Sequence, residues 1–188
     1  MKKVFSIILI GVLLVVVCVI LFKDNNSKLA ASDLLTPTIE IDGVAYTFPI
    51  EAKELIDNGW TMENKLAVPA TPGANAGVNF TKDDYTLFTN ISSTTGKEQK
   101  IEEGEVCSIH YAKDVENINV PIKFPGEIAI GMKKADVEKI LPGEFEYVEK
   151  YQYFQYKKET DKGELEILIY MSEDGSEVEK INYTCWTK

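Results

Sequence analysis

The chain's single histidine, His110, lies three residues after Cys107, and this thiol and imidazole are the natural place to look for a Cys-His nucleophile. Both belong to Glu105 to Tyr111, which reads as a β-strand. Residues three apart on a strand point to opposite faces, so the two side chains are not expected to meet. His110 reads as a structural or solvated residue. One histidine and scattered cysteines supply no zinc ligand set. The chain has no Gly-Xaa-Ser-Xaa-Gly elbow, phosphate-cradling glycine loop or EF-hand pattern. Gly73 to Gly77 has two glycines but lacks the strand-to-helix setting a phosphate loop requires. No cofactor or metal is expected.

Carboxylates are plentiful, at Asp83-Asp84, Glu102-Glu103, Glu105, Glu173-Asp174 and Glu177. A glycosidase would need two of them facing each other across a cleft. Their place in turns argues instead for a solvated surface. Tyr147 to Tyr156 is the stretch best suited to recognition. Read as one strand, it puts Tyr147, Tyr151 and Tyr153 on one face and Phe154 and Tyr156 on the other. Tyr170 and Trp186, on neighbouring predicted strands, can join an outward aromatic set. Exposed Tyr and Trp are common anchors of protein interfaces, so Tyr151, Tyr153, Tyr170 and Trp186 are the candidate interface. The competing reading is that these rings pack a core or an internal seam.

The elements that must position these residues are legible from turn chemistry and period. Thr38 to Phe48 alternates about Asp42-Gly43, a hairpin signal. Pro49 to Asn58 reads as a short helix stopped by Asn58-Gly59, with Trp60 packing just beyond. Val68 to Gly77 reads as a loop, and Val78 to Phe80 and Tyr85 to Ile91 as strands joined by Lys82-Asp83-Asp84. Ser92 to Gly104 is a polar connection. Later, Gly131 acts as a pivot before a helix over Lys133 to Leu141, which Pro142-Gly143 ends. Three strands follow: Phe145 to Lys158, Glu164 to Met171 and Glu177 to Trp186.

Charge and hydropathy narrow the function further. The net charge is −10, and every one of the 20 basic residues is lysine. The absence of arginine beside abundant Ile, Asn, Lys and Glu suggests an AT-rich coding genome and a bacterial cell envelope. Beyond Lys23 there are 17 lysines against 30 acidic residues, a net of −13. Such a surface repels phosphates, and no arginine fork is present to read a base, so nucleic-acid binding is not expected. Val4 to Phe22 carries no charge, and 19 helical residues span ~28 Å, enough to cross a bilayer core. Lys2-Lys3 favour a cytoplasmic N-terminus and an extracytoplasmic domain in the cell membrane. A cleaved signal would have a shorter core followed by small residues, and a lipoprotein cysteine would end the apolar run, unlike Cys18. An uncleaved signal-anchor is the reading adopted. Outside the cytosol, Cys107 and Cys185 are the candidate disulfide; the alternative is two separate reduced strand cysteines.

Glu105-Val-Cys-Ser-Ile-His-Tyr111 and Glu177-Val-Glu-Lys-Ile-Asn-Tyr183 share Glu, Val, Ile and Tyr in register, which suggests a duplication. The second copy carries Ile130-Gly131-Met132, then Asp136-Val137, Ile140-Leu141, Tyr-rich strands and Asp174-Gly175-Ser176. This pattern resembles the small unit of the SmpA/OmlA outer-membrane lipoproteins and is similar to the tandem unit of the beta-lactamase inhibitory protein. The resemblance covers mainly 124–183. It implies short helices on one face of a small antiparallel sheet, with two such units side by side. Lys133 stands where those families place a helix-capping Ser or Thr, and no partner is carried over.

The expectation is therefore an α+β chain: transmembrane signal-anchor 1–23, linker 24–37, and two tandem units at 38–113 and 120–188, each a short helix packed on an antiparallel sheet. Its expected role is a membrane-anchored, extracytoplasmic binding module for a protein or cell-envelope component, without catalysis. The alternative is an envelope hydrolase using paired carboxylates.

Overall fold

In a computed structural model the chain is described over residues 29–63, 67–68, 74–113, 119–161 and 163–187. The apolar run at the N-terminus lies outside these residues, and among them no helix is long and apolar enough to cross a membrane. Asp42 and Gly43 both take positive φ (49° and 78°), as a two-residue hairpin turn demands. They join β1 (Thr38–Ile41) to β2 (Val44–Thr47). The strand β3 (Ile50–Glu51) leads into α1 (Ala52–Asp57), which buries Ala52 and Leu55. Trp60 is 2% exposed just past the helix stop, its backbone N–H donating to the Leu55 carbonyl.

The chain continues through β4 (Thr61–Met62), β5 (Ala67–Val68), β6 (Asn75–Lys82) and β7 (Tyr85–Ser92). The Lys82–Tyr85 pair closes a turn on Asp83 and Asp84. Next come β8 (Gln99–Lys100), β9 (Glu105–Ala112) and β10 (Ile122–Lys123). Gly131 is a pivot in fact (φ 84°): its N–H donates to the Val178 carbonyl and the chain turns into α2 (Lys134–Ile140), with Val137 buried. The remaining strands are β11 (Glu146–Val148), β12 (Tyr153–Glu159), β13 (Gly163–Met171) and β14 (Val178–Thr187).

The result is a mostly-sheet α+β fold with antiparallel sheets and few helices. The main sheet runs β11-β12-β13-β14-β9-β7-β6-β4, with β3 pairing β9 off that path. A three-stranded sheet, β10-β1-β2, and a two-stranded one, β5-β8, complete it. Strand β13 shows the logic of the layers: residues 163, 165, 167, 169 and 171 are buried, and those between are half-exposed. The buried face packs Ile109, Ile167, Ile181 and Tyr183 into one cluster with α1, α2 and the β10-β1-β2 sheet. Tyr183 is at its centre. Phe124 stacks on it at 5.5 Å, and Phe48 meets it edge-on at 6.0 Å. Phe124 also meets Tyr111 at 5.5 Å.

Four sequence expectations change. The stretch read as a linker is already folded from residue 29, because the apolar Leu34-Leu35 pair has a core to enter: Leu34 is buried and Leu35 packs against it. Asn75 to Gly77 belong to β6 rather than to a loop, and the polar connection after Ser92 contains β8. Phe145 to Lys158 is two strands, not one. Gln152 adopts a left-handed conformation (φ 53°), and β11 folds back on β12 so that Val148 pairs with Tyr153. Tyr147 therefore packs beside Phe154 at 4.8 Å, separate from Tyr151 and Tyr153.

Burial pushes the Tyr183 phenol far above its usual range, and its hydroxyl has no hydrogen-bond partner. Removing an unpaired hydroxyl while keeping the ring costs little, whereas emptying the site leaves a cavity. Tyr183→Phe is expected to match or exceed wild-type stability in urea titrations, and Tyr183→Ala to lose ~3–5 kcal/mol.

Candidate functional site

The face of the main sheet away from the core is built by strand alternation. Registers place polar and aromatic residues in rows across it. One row runs Tyr153, Tyr170, Lys180. The next runs Gln155, Leu168, Asn182, His110. A third runs Lys157, Glu166, Thr184, Ser108, Asn90. Trp186 pairs with Glu164 in a fourth.

In the middle of this face lies an open cavity of about 300 Å³. It forms where two strands part. β14 pairs β9 from Lys180–Ala112 to Thr184–Ser108, and from there β3 takes over, pairing with Val106 and Glu105. At the same point the β7–β9 register shifts: Asn90 pairs Ser108 but Ile91 pairs Val106, which leaves Cys107 as the extra residue of a bulge. The bulge alters the predicted alternation. Cys107 and His110 both line the cavity, although a regular strand would have put them on opposite faces.

The thiol is nevertheless no activated nucleophile. Burial pushes it up to about 11, partly offset by the Ser92 hydroxyl beside it. A reactive cysteine needs the opposite shift. The His110 Nε2 lies 2.8 Å from the Ser108 hydroxyl. Cys185 also borders the cavity and belongs to the core cluster, which Cys107 does not; both are buried thiols that form no disulfide in the structure. Glu166 is the one carboxylate among the described residues lining the cavity. It accepts a hydrogen bond from Gln155 Nε2 (2.7 Å) and pairs with Lys157 Nζ (3.0 Å). The hydrogen bond to Glu166 in turn raises the Lys157 amine. Among the described residues no cluster of three His, Cys, Asp or Glu could hold a metal ion.

The four candidate interface residues lie along this same face. Tyr151 is 58% exposed and Trp186 49%. Tyr151 stacks on Tyr153 at 6.0 Å, and Tyr153 meets Tyr170 edge-on at 5.2 Å, so three rings form a continuous ladder. Lys180 Nζ sits 4.3 Å over Tyr170 and Lys150 Nζ 4.9 Å over Tyr151. Tyr170 and Trp186 border the cavity. Sequence reasoning missed the polar lining, Asn75, Asn90, Ser108, Asn182 and Thr184 among it. The signal was present in β14, where Ile181, Tyr183 and Cys185 alternate with Asn182, Thr184 and Trp186.

The raised thiol has a direct readout. A folded-state value above the ordinary one near 9 means that the thiolate is disfavoured in the fold. This contribution leaves stability undiminished below pH ~9 and erodes it as pH rises toward about 11. After reduction, the folded protein at pH 7.5 is expected to alkylate with iodoacetamide at Cys107 at least ~100-fold more slowly than in urea, judged by mass spectrometry. Equal rates in the two conditions would contradict the buried-thiol assignment.

Compared with known proteins, the chain matches no family model, no curated protein and no solved structure.

Proposed function

We propose that this chain is a single-pass, membrane-anchored protein whose extracytoplasmic domain binds a protein or cell-envelope component through the open face of its main sheet, without catalysis. The anchor is the uncharged run Val4 to Phe22, preceded by Lys2-Lys3. The observation that carries the binding reading is the aromatic ladder Tyr151-Tyr153-Tyr170 together with the half-exposed Trp186, all on the face that no core element covers. Two exposed rings, Tyr151 and Trp186, beside half-buried Tyr153 and Tyr170 make the kind of aromatic surface that recognition sites use. A paired-carboxylate hydrolase would need a partner for Glu166 across the cavity, and Glu166 is already engaged by Lys157 and Gln155.

The domain is proposed to be two related helix-on-sheet units, as the SmpA/OmlA-like and inhibitor-like pattern implies. The pairing register supports this. In the matched segments Glu105 corresponds to Glu177 and His110 to Asn182. His110 pairs directly with Asn182, while Ile109 pairs with Tyr183 and Tyr111 with Ile181. The equivalent residues His110 and Asn182 thus face one another, and the flanking pairs Ile109–Tyr183 and Tyr111–Ile181 exchange with each other, as they would around an internal two-fold axis.

The test is capture from solubilised native membranes with the full chain as bait. The triple substitution Tyr151→Ala, Tyr153→Ala, Trp186→Ala is expected to reduce recovery of specific partners at least ~10-fold with an unchanged circular dichroism spectrum. Undiminished recovery would remove the open face from consideration.

A further inference from the structure

The central cavity differs from the aromatic ladder beside it, and its chemistry specifies a narrower ligand. Asn182 is 8% exposed and lines the cavity, and its Oδ1 has no hydrogen-bond partner. Ser92, 2% exposed, borders the same space, and its hydroxyl has no oxygen or nitrogen partner. A buried acceptor left unpaired costs free energy, and a ligand donor placed there recovers it. An apolar occupant would leave Asn182 Oδ1 stranded.

Charge excludes other classes. Among the described residues no lysine lines the cavity, Glu166 is already paired with Lys157, and the chain has no arginine. An anionic ligand therefore meets neither lysine nor arginine among the described lining residues, within a surface of strong negative charge. A peptide strand would want an unpaired sheet edge. Beside this site β9 is paired by β14 or β3 on one side and β7 on the other, and β14 leaves only residues 185–187 without a β9 partner, an edge too short to seat a peptide strand. What remains is a neutral molecule rich in hydroxyl donors and with an apolar face. Asn75, Asn90 and Asn182 offer amides that accept and donate together, which suits adjacent hydroxyls. Trp186, half-exposed at the rim, offers a ring face against which a pyranose can lay its C–H side. The volume, about 300 Å³, is at the small end of ligand pockets and suits one or two sugar rings.

We infer that the cavity between β9 and β14 binds a neutral saccharide, with Asn182 Oδ1 accepting from a sugar hydroxyl and Trp186 stacking on the ring. This rests on the open-face reading above and names a ligand class for part of that face.

The full chain in nanodiscs, free of glycosidic detergent, is titrated with cellotriose, maltotriose and tri-N-acetylchitotriose. Binding is read by tryptophan emission and by saturation-transfer NMR. Trp60 is buried, so a change in emission reports Trp186. At least one probe is expected to saturate in the millimolar range with a blue shift. Asn182→Leu, which keeps the branched heavy-atom outline and removes the acceptor, is expected to weaken it at least ~10-fold. Trp186→Ala is expected to abolish the NMR signal, and Lys53→Ala on α1 to leave it unchanged. No saturable signal from any probe, or equal binding by Asn182→Leu, overturns the inference. If saccharides fail while the triple variant still loses partner capture, only this inference falls. If saccharides bind while capture is unaffected, the macromolecular docking reading falls instead.

Discussion

The antiparallel pairing of β9 with β14 is the constraint on which the rest of the molecule depends. Its five residue pairs, from Ser108–Thr184 to Ala112–Lys180, join strands far apart in sequence. Without this ladder the main sheet would be two smaller sheets, each with less apolar surface to bury. With it, Ile109, Ile181 and Tyr183 close over one core while Ser108, His110, Asn182 and Thr184 are fixed on the other side. The same backbone hydrogen bonds therefore fix the packing and the candidate binding surface. Because the contact is non-local, its loop-closure entropy must be met before the pairing rewards it.

The core side secures that pairing through aromatic contact. Phe124 lies between Tyr111 and Tyr183, one from each of the paired strands, and it immediately precedes the turn toward α2. The lead-in to the second helix is thus a clamp on the central ladder. Glu177 adds a surface counterpart, with Lys113 at 3.3 Å after β9 and Lys133 at 3.1 Å before α2. Both lysines lower its carboxyl, Lys133 more than Lys113. Exposed pairs of this kind contribute little energy. They mark the register rather than create it.

Much of the architecture was legible because local chemistry and global fold agree. Asp42-Gly43, Gly131 and the Asn58-Gly59 stop each required a backbone that few other residues adopt, and each has it. The strand ends were legible to within a few residues. The departures have physical causes. The β11–β12 turn relies on Gln152 in a left-handed conformation, with no glycine to announce it, so period alone read through it and gave Tyr147 the wrong company. The bulge at Cys107 coincides with the handover of β9 from β14 to β3, a tertiary arrangement invisible in seven residues of strand. The aromatic residues were found by type. The cavity's polar lining was missed because asparagine, serine and threonine on strands look like ordinary solvated positions until registers bring them together.

The outermost members of the main sheet, β11 and β4, are three and two residues long. Long flat edges invite other strands, and short ones offer few free backbone groups to a newcomer. Each short cap covers only part of the longer strand behind it: β11 pairs Tyr153 to Gln155 of β12, and β4 pairs Phe80 and Thr81 of β6. Where a cap pairs, a strand from another chain cannot be added without displacing it. The sheet is thus blocked at one point along each edge rather than along its whole length.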